Sequence, residues 1–301
     1  MSLDGIVRSV AGRLSLREPQ AESLRKLAAA LEAVPGLRDH RARSPEELAA
    51  MVEALKGMFP KLLDFERDFP SLCFALATGV GKTRLMGAFI SVLHAAYGYK
   101  HFFVLAPNLT IYDKLIRDFT PNTPKYVFKG IAEFAATPPE VITGESYEQR
   151  GDLVSQAVDA PVQINIFNIS KINTEVRGGK SPRIKRLSEY LGQSYFDYLA
   201  GLPDLVLLMD ESHRYRAGAG VRALNELKPL LSLELTATPV HRVDQGSGAV
   251  QERGDGLSAG TSHRGWLRQG AGGCHAAELR PLEAQCRATG AHQADGRCAG
   301  A

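Results

Sequence analysis

The chain has 301 residues and a net charge of +3, with 44% hydrophobic and 23% charged residues, the composition of a globular protein with one or two domains and a full core. No apolar run approaches the roughly 18 residues needed to span a bilayer, no continuous apolar segment opens the chain, and the charge is too small to argue by itself for a nucleic-acid partner. Cys73, Cys274, Cys286 and Cys298 do not make a disulfide framework at this length, so a reducing cytoplasm and no membrane are expected.

Residues 1–65 read as a helical N-terminal region. Within it, EPQAESLRKLAAALEAV (18–34) puts Pro19 in the first turn of a helix and Leu24, Leu27 and Leu31 on one face. A second helix over 44–57 has Ser44 as N-cap, Pro45 at the first helical position and Glu47 at the capping-box position. From 66 to 240 strands alternate with helices: strands over 71–77, 101–107, 162–169, 204–210 and 231–237, helices over 82–97, 109–119, 183–199 and 221–227. The alternation implies an α/β domain, a parallel sheet with helices on both faces. The strands are apolar throughout rather than alternating, as burial on two sides requires.

The stretch SLCFALATGVGKTRLMGAFI (71–90) runs from strand to turn to helix. Thr78, Gly79, Val80, Gly81, Lys82 and Thr83 have the makings of a phosphate loop, although Leu76 stands where the general motif has its first glycine. Gly79 and Gly81 let successive amides turn toward an anion, and the helix N-terminus adds its own amides. Lys82 would reach the β- and γ-phosphates of a nucleotide, and the Thr83 hydroxyl would sit on Mg²⁺.

LVLLMDESHR (205–214) ends a buried strand in two acids, at the sheet edge where ligands bind in such folds. Asp210 is expected to hold Mg²⁺ through water, and Glu211 to polarise an attacking water as general base. The plainer reading is an acidic cap on the next helix. His213, three residues beyond Asp210, lies within reach of the γ-phosphate side and is expected to report nucleotide state.

ATGVGKT, DESH and TATP (236–239) resemble motifs I, II and III of superfamily-two helicases of the DEAD/DEAH-box group. FALATGVGKTRLMGAFI, FFVLAPNLTIYDKLI, INIFNISKIN, MDESHRYRA and LELTATP resemble the ATPase half of the type III restriction enzyme Res subunit, over roughly residues 15–240. Ser212 departs from the group, which usually has Ala there. The resemblance implies a first RecA-like P-loop ATPase domain over 66–240, ATP and Mg²⁺ as cofactors, DNA as partner, and a modification (methyltransferase) subunit in full-length members. It also implies that Gln20 reads the adenine edge and that Thr236 and Thr238 couple hydrolysis to strand movement. By themselves, Gln20 reads as an exposed polar residue in a first helical turn and the two threonines as a strand end.

Asn108 and Thr110 stand where the family's motif Ia lies, and Ser170 and Lys171 follow the strand INIFNI. Each is a candidate contact to a nucleic-acid backbone, sequence-neutral and salt-dependent. The basic run VRGGKSPRIKR (176–186) reads more simply as a solvated loop.

From 241 to 301 the chain holds no Lys, Asn, Ile, Met, Phe or Tyr, the types with mostly AT-rich codons. That is the pattern of a GC-rich gene read out of frame, and residues 250–254, shifted by one base, allow Phe-Lys-Asn-Val-Val. The tail is therefore expected to be a frameshifted, disordered segment. Cys274, Cys286 and Cys298, with His275 and His292, match no common zinc spacing. The expected whole is an ATP-dependent DNA helicase or translocase motor domain truncated after motif III, weak or inactive alone. A non-catalytic nucleotide-dependent DNA-binding module or an inactive gene fragment is the alternative. A P-loop kinase is disfavoured, because it needs neither DESH nor TATP.

Overall fold

The computed structural model describes residues 1–39, 43–60, 62, 64–65, 67–143, 146, 160–168, 195–211 and 224–237, and the backbone of 266–268. The N-terminal region opens with α1 (Leu3–Arg13), whose Ser2 cap accepts from the Gly5 amide at 3.3 Å. α2 (Glu18–Ala33) buries Leu24, Leu27 and Leu31, the face expected from their spacing. A 3₁₀ turn (Pro35–Arg38) leads toward α3 (Pro45–Lys56). There the Ser44 hydroxyl accepts from the Glu47 amide at 3.2 Å and Glu47 accepts from the Ser44 amide at 2.9 Å, so two orphan donors are satisfied reciprocally.

The sheet comprises β1 (Ser71–Ala75), β2 (His101–Ala106), β3 (Glu140–Thr143), β4 (Gln163–Asn168), β5 (Val206–Asp210), β6 (Leu231–Thr236) and β7 (Trp266–Arg268). Its order is β3-β4-β2-β5-β6-β1-β7 and every pairing is parallel. Between strands run α4 (Lys82–Tyr97), α5 (Leu109–Phe119), α6 (Ala132–Ala136) and α7 (Tyr195–Ala200). Of the tail 241–301, only the backbone of β7 is described.

Most strand residues are apolar because each face of the sheet meets a core. Phe102 and Val104 of β2, and Val206 and Leu208 of β5, join the larger core with α1, α2, α3, α4 and α5. Phe103, Leu105, Leu207 and Met209 face the other way, onto α7 and the helical turn at 224–227. Each such leucine or phenylalanine contributes about 1.5–3 kcal/mol by leaving water. The expected parallel sheet between helical layers, preceded by a helical region, is thus the architecture observed.

β4, with Gln163, Asn165 and Asn168 buried, and β6 depart from continuous burial of apolar groups. Leu231, Leu233 and Leu235 take one face, but Ser232, Glu234 and Thr236 take the other, all buried. Glu234 is tolerated there because Arg67 Nε donates to its Oε1 at 3.1 Å and Ser71 Oγ donates to the same oxygen at 2.8 Å. At the N-terminal edge of the sheet, Asp204 accepts from the Lys100 amide at 2.6 Å and bonds the His101 ring. Burial works against its charge, yet the His101 and Lys100 bonds hold the Asp204 carboxyl below its ordinary value.

α1, α6 and β3 are additions to the expected elements. β3 is a four-residue segment that follows two prolines and is only half buried, so it has little periodicity to read.

Candidate functional site

The site forms where β1, β6 and β5 end. β1 and β5 are not neighbours, since β6 lies between them. The turn after β1 carries Thr78, Gly79, Val80 and Gly81, and α4 starts at Lys82 with Thr83 in its first turn. Gly79 and Gly81 have φ of 78° and 95°, a conformation side chains rarely adopt. Gly81 has a second reason to be glycine: a Cβ there would lie 2.8 Å from Gln20 Nε2. The first-turn amides of a sixteen-residue helix therefore open onto the turn.

β5 delivers Asp210 and Glu211 to the same edge. Glu211 has φ of 51°, so the chain turns sharply as soon as the strand ends. Lys82 Nζ donates to Glu211 Oε1, and the two side chains are 11% and 22% exposed. The Ala237 amide, just past β6, donates to Glu211 Oε2 at 3.4 Å. The Leu76 amide donates to the Thr236 carbonyl at 2.9 Å. The end of β6 thus touches both the start of the phosphate loop and the acid beyond β5.

Asp210 is 8% exposed, and its Oδ1 has no hydrogen-bond partner among the described residues. Burial pushes its carboxyl above the usual range, against the pull of Lys82. A buried carboxylate oxygen left unbonded fits a hard divalent cation and its waters, and the Thr83 hydroxyl in the first turn of α4 would be a second oxygen ligand. The residues present therefore fit Mg²⁺.

Gln20 is in the first turn of α2, as expected, but 1% exposed. Its Nε2 donates to the Gly81 carbonyl at 2.8 Å and its Oε1 accepts from the Arg17 amide at 2.8 Å. Arg17 Nη1 donates to the Gly79 carbonyl at 3.2 Å. The N-terminus of α2 is thereby stapled to the phosphate loop. Arg17 was not singled out by sequence, because its partner is a backbone carbonyl 62 positions away.

Asn108 caps α5, its Oδ1 accepting from the Ile111 amide at 2.9 Å, and Asn108 and Thr110 are exposed. Thr236 is buried at the end of β6. His213, Thr238, Ser170 and Lys171 lie outside the described residues, as do Cys274, Cys286 and Cys298 and the basic run at 176–186. Sequence reading also passed over Lys114 of α5, whose Nζ donates to Thr83 Oγ1 at 2.6 Å.

No curated protein matches the chain. Among the solved structures similar to the chain are these two. One is a nuclease-deletion mutant of the type ISP restriction-modification enzyme LlaGI in complex with a DNA substrate mimic, at 15% identity and a TM-score of 0.38, covering 67% of this chain and 19% of that one. The other is the Sulfolobus solfataricus SWI2/SNF2 ATPase core in complex with dsDNA, at 14% identity and a TM-score of 0.31, covering 67% of this chain and 34% of that one. The chain spans well under two thirds of either. The family model of the type III restriction enzyme, res subunit, matches residues 13–241 and takes in α2, the phosphate loop, the acidic pair and β6. With that match over most of its length, the chain belongs to the type III restriction enzyme res subunit family.

Proposed function

We propose that the chain binds ATP with Mg²⁺ at the loop of residues 78–83 and hydrolyses it, as the first half of a motor acting on DNA. The observation that carries this reading is the Lys82–Glu211 ion pair, which brings the two halves of the site together across β6. Thr83 and Asp210 would hold Mg²⁺, which supplies charge neutralisation at the β- and γ-phosphates. An arriving γ-phosphate competes for Lys82, so the lysine exchanges a carboxylate for a phosphate. That exchange frees Glu211 to accept a proton from water as its oxygen bonds the γ-phosphorus. The bond to the β-bridging oxygen breaks, and ADP and phosphate leave.

Asn108 and Thr110, exposed at the start of α5, are the proposed contacts to a nucleic-acid backbone. Ser170, Lys171, His213 and Thr238 keep their proposed roles from the family resemblance, and a modification subunit remains the proposed protein partner. The out-of-frame reading of 241–301 is supported by the end of the family match at residue 241, where the composition also changes. Resequencing the gene from the Thr236 codon onward tests it.

The functional test is equilibrium binding of a fluorescent ADP analogue (mant-ADP) together with phosphate release, with and without DNA. Binding with turnover supports a motor. Binding without turnover at any DNA concentration supports a nucleotide-gated binding module. Failure to bind overturns both.

A further inference from the structure

Lys114 lies one helix away from the phosphate loop, inside the family-like segment 102–116 but with no role assigned to it. On sequence it is a lysine on the face of an amphipathic helix. Its ammonium nevertheless reaches Thr83 Oγ1 at 2.6 Å, on a residue only 8% exposed. It also pairs with Asp118 Oδ2 at 2.9 Å, one turn further along α5, where the Asp118 side chain is 9% exposed. The charge of Lys114 is felt as well at the Asp210 carboxyl. The Lys114 side chain is itself 43% exposed, so the lysine stays at the surface and gives up side-chain freedom to set its ammonium against an almost buried hydroxyl.

The hydroxyl has two lone pairs. A magnesium ion takes one at about 2.1 Å, and an ammonium on the other would stand within about 4 Å of the metal, where like charges repel strongly in a partly buried site. Both cations cannot hold Thr83 comfortably. Asp118 gives Lys114 somewhere to go, since the ammonium already contacts it and needs only to let go of the hydroxyl.

We infer that Lys114 competes with Mg²⁺ for Thr83, holding the hydroxyl while no metal is bound and withdrawing to Asp118 when Mg·nucleotide enters. Lys114 is then a positioning residue, and it links the metal to α5, whose first turn carries Thr110 and whose cap is Asn108. The inference rests on reading the loop as an ATP site, and the test separates the two.

The full chain is titrated with mant-ADP across Mg²⁺ concentrations and, separately, in EDTA. In Lys114→Met the Mg²⁺ midpoint falls about fivefold or more, the lower end of ordinary coupling between sites. In EDTA the same variant binds the nucleotide more weakly, because a cation near the phosphates has gone. A purely structural role would move both readings the same way. Asp118→Asn, which removes the refuge, raises the midpoint. Lys114→Gln, close to the native side chain in length, orders with Lys114→Met and guards against a folding defect. An unchanged midpoint in folded Lys114→Met, with wild-type binding intact, overturns this inference alone. A wild-type chain that binds no mant-ADP at any Mg²⁺ concentration overturns the nucleotide reading and this inference with it.

Discussion

Lys82 and Glu211 are ion-paired across a strand that belongs to neither of them, since β6 separates β1 from β5. In the proposed reaction the pair would keep Glu211 occupied until a phosphate takes the lysine away. Glu211→Gln should therefore keep or improve mant-ADP affinity, because Lys82 is released, while phosphate release falls about 10²–10⁴-fold, the usual worth of a general base. Lys82→Ala should weaken binding about tenfold or more, the loss expected on removing a charged hydrogen bond. A Glu211→Gln variant with wild-type turnover would remove Glu211 from the chemistry.

Gln20 offers a sharper choice. Both ends of its amide are bonded to backbone, at Gly81 and Arg17. Gln20→Ala leaves the Arg17 amide without its partner, a cost of about 1–3 kcal/mol if it finds no water, while the Gly81 carbonyl keeps the Arg84 and Leu85 amides. It loosens the phosphate loop whatever base the nucleotide carries. Affinities for mant-ADP and mant-GDP should fall together in Gln20→Ala. A fall confined to mant-ADP would support the adenine-reading role implied by the family resemblance.

Arg67 and Glu234 are each about 1% exposed in the side chain and paired at 3.1 Å. Removing one partner strands the other in the core. Arg67→Met should destabilise the chain by about 3–5 kcal/mol, whereas Arg67→Met with Glu234→Leu should recover most of that loss, as other buried pairs do. Urea unfolding of wild type, Arg67→Met, Glu234→Leu and the double variant gives the cycle. Equal stability of the single and double variants would show that the pair is not what holds β6 and the 67–71 segment together.

Asp204 makes stability depend on acid. Its carboxyl is held below the ordinary value despite burial, because the His101 ring and the Lys100 amide bond its charged form. A carboxyl lowered in the folded state contributes stability that is present above the unfolded value, near pH 4, and is lost as pH falls through the folded one. Wild type should lose stability steeply below about pH 4, and Asp204→Asn should start lower and lose less over that window. Melting temperatures between pH 3 and 7 would show it, and parallel curves would rule it out.

Much of the fold was legible because its signals are local. Ser44, Pro45 and Glu47 announce the start of α3, and Leu109–Phe119 forms α5 over the span its periodicity marks. Glycines at 79 and 81 followed by Lys82 and Thr83 likewise read as one unit. What escaped was set by distance along the chain. Gln20 is buried against a carbonyl 61 positions away, and Lys114 bonds a hydroxyl 31 positions away. Neither partner alters the pattern around the residue it binds. β3 escaped for another reason: four half-buried residues make too short a repeat to stand out.

The backbone at Glu211, with its φ of 51°, would be more relaxed as glycine, since a side chain in the left-handed region costs about 1 kcal/mol or more. Glutamate and glycine codons differ by one base. A lineage that needed only the shape of this domain could drop the acid in a single step, relaxing the backbone there while leaving Lys82 without its partner. Shape and chemistry thus pull in opposite directions at position 211, and across related genes the identity of that residue becomes a gauge of whether hydrolysis is still under selection.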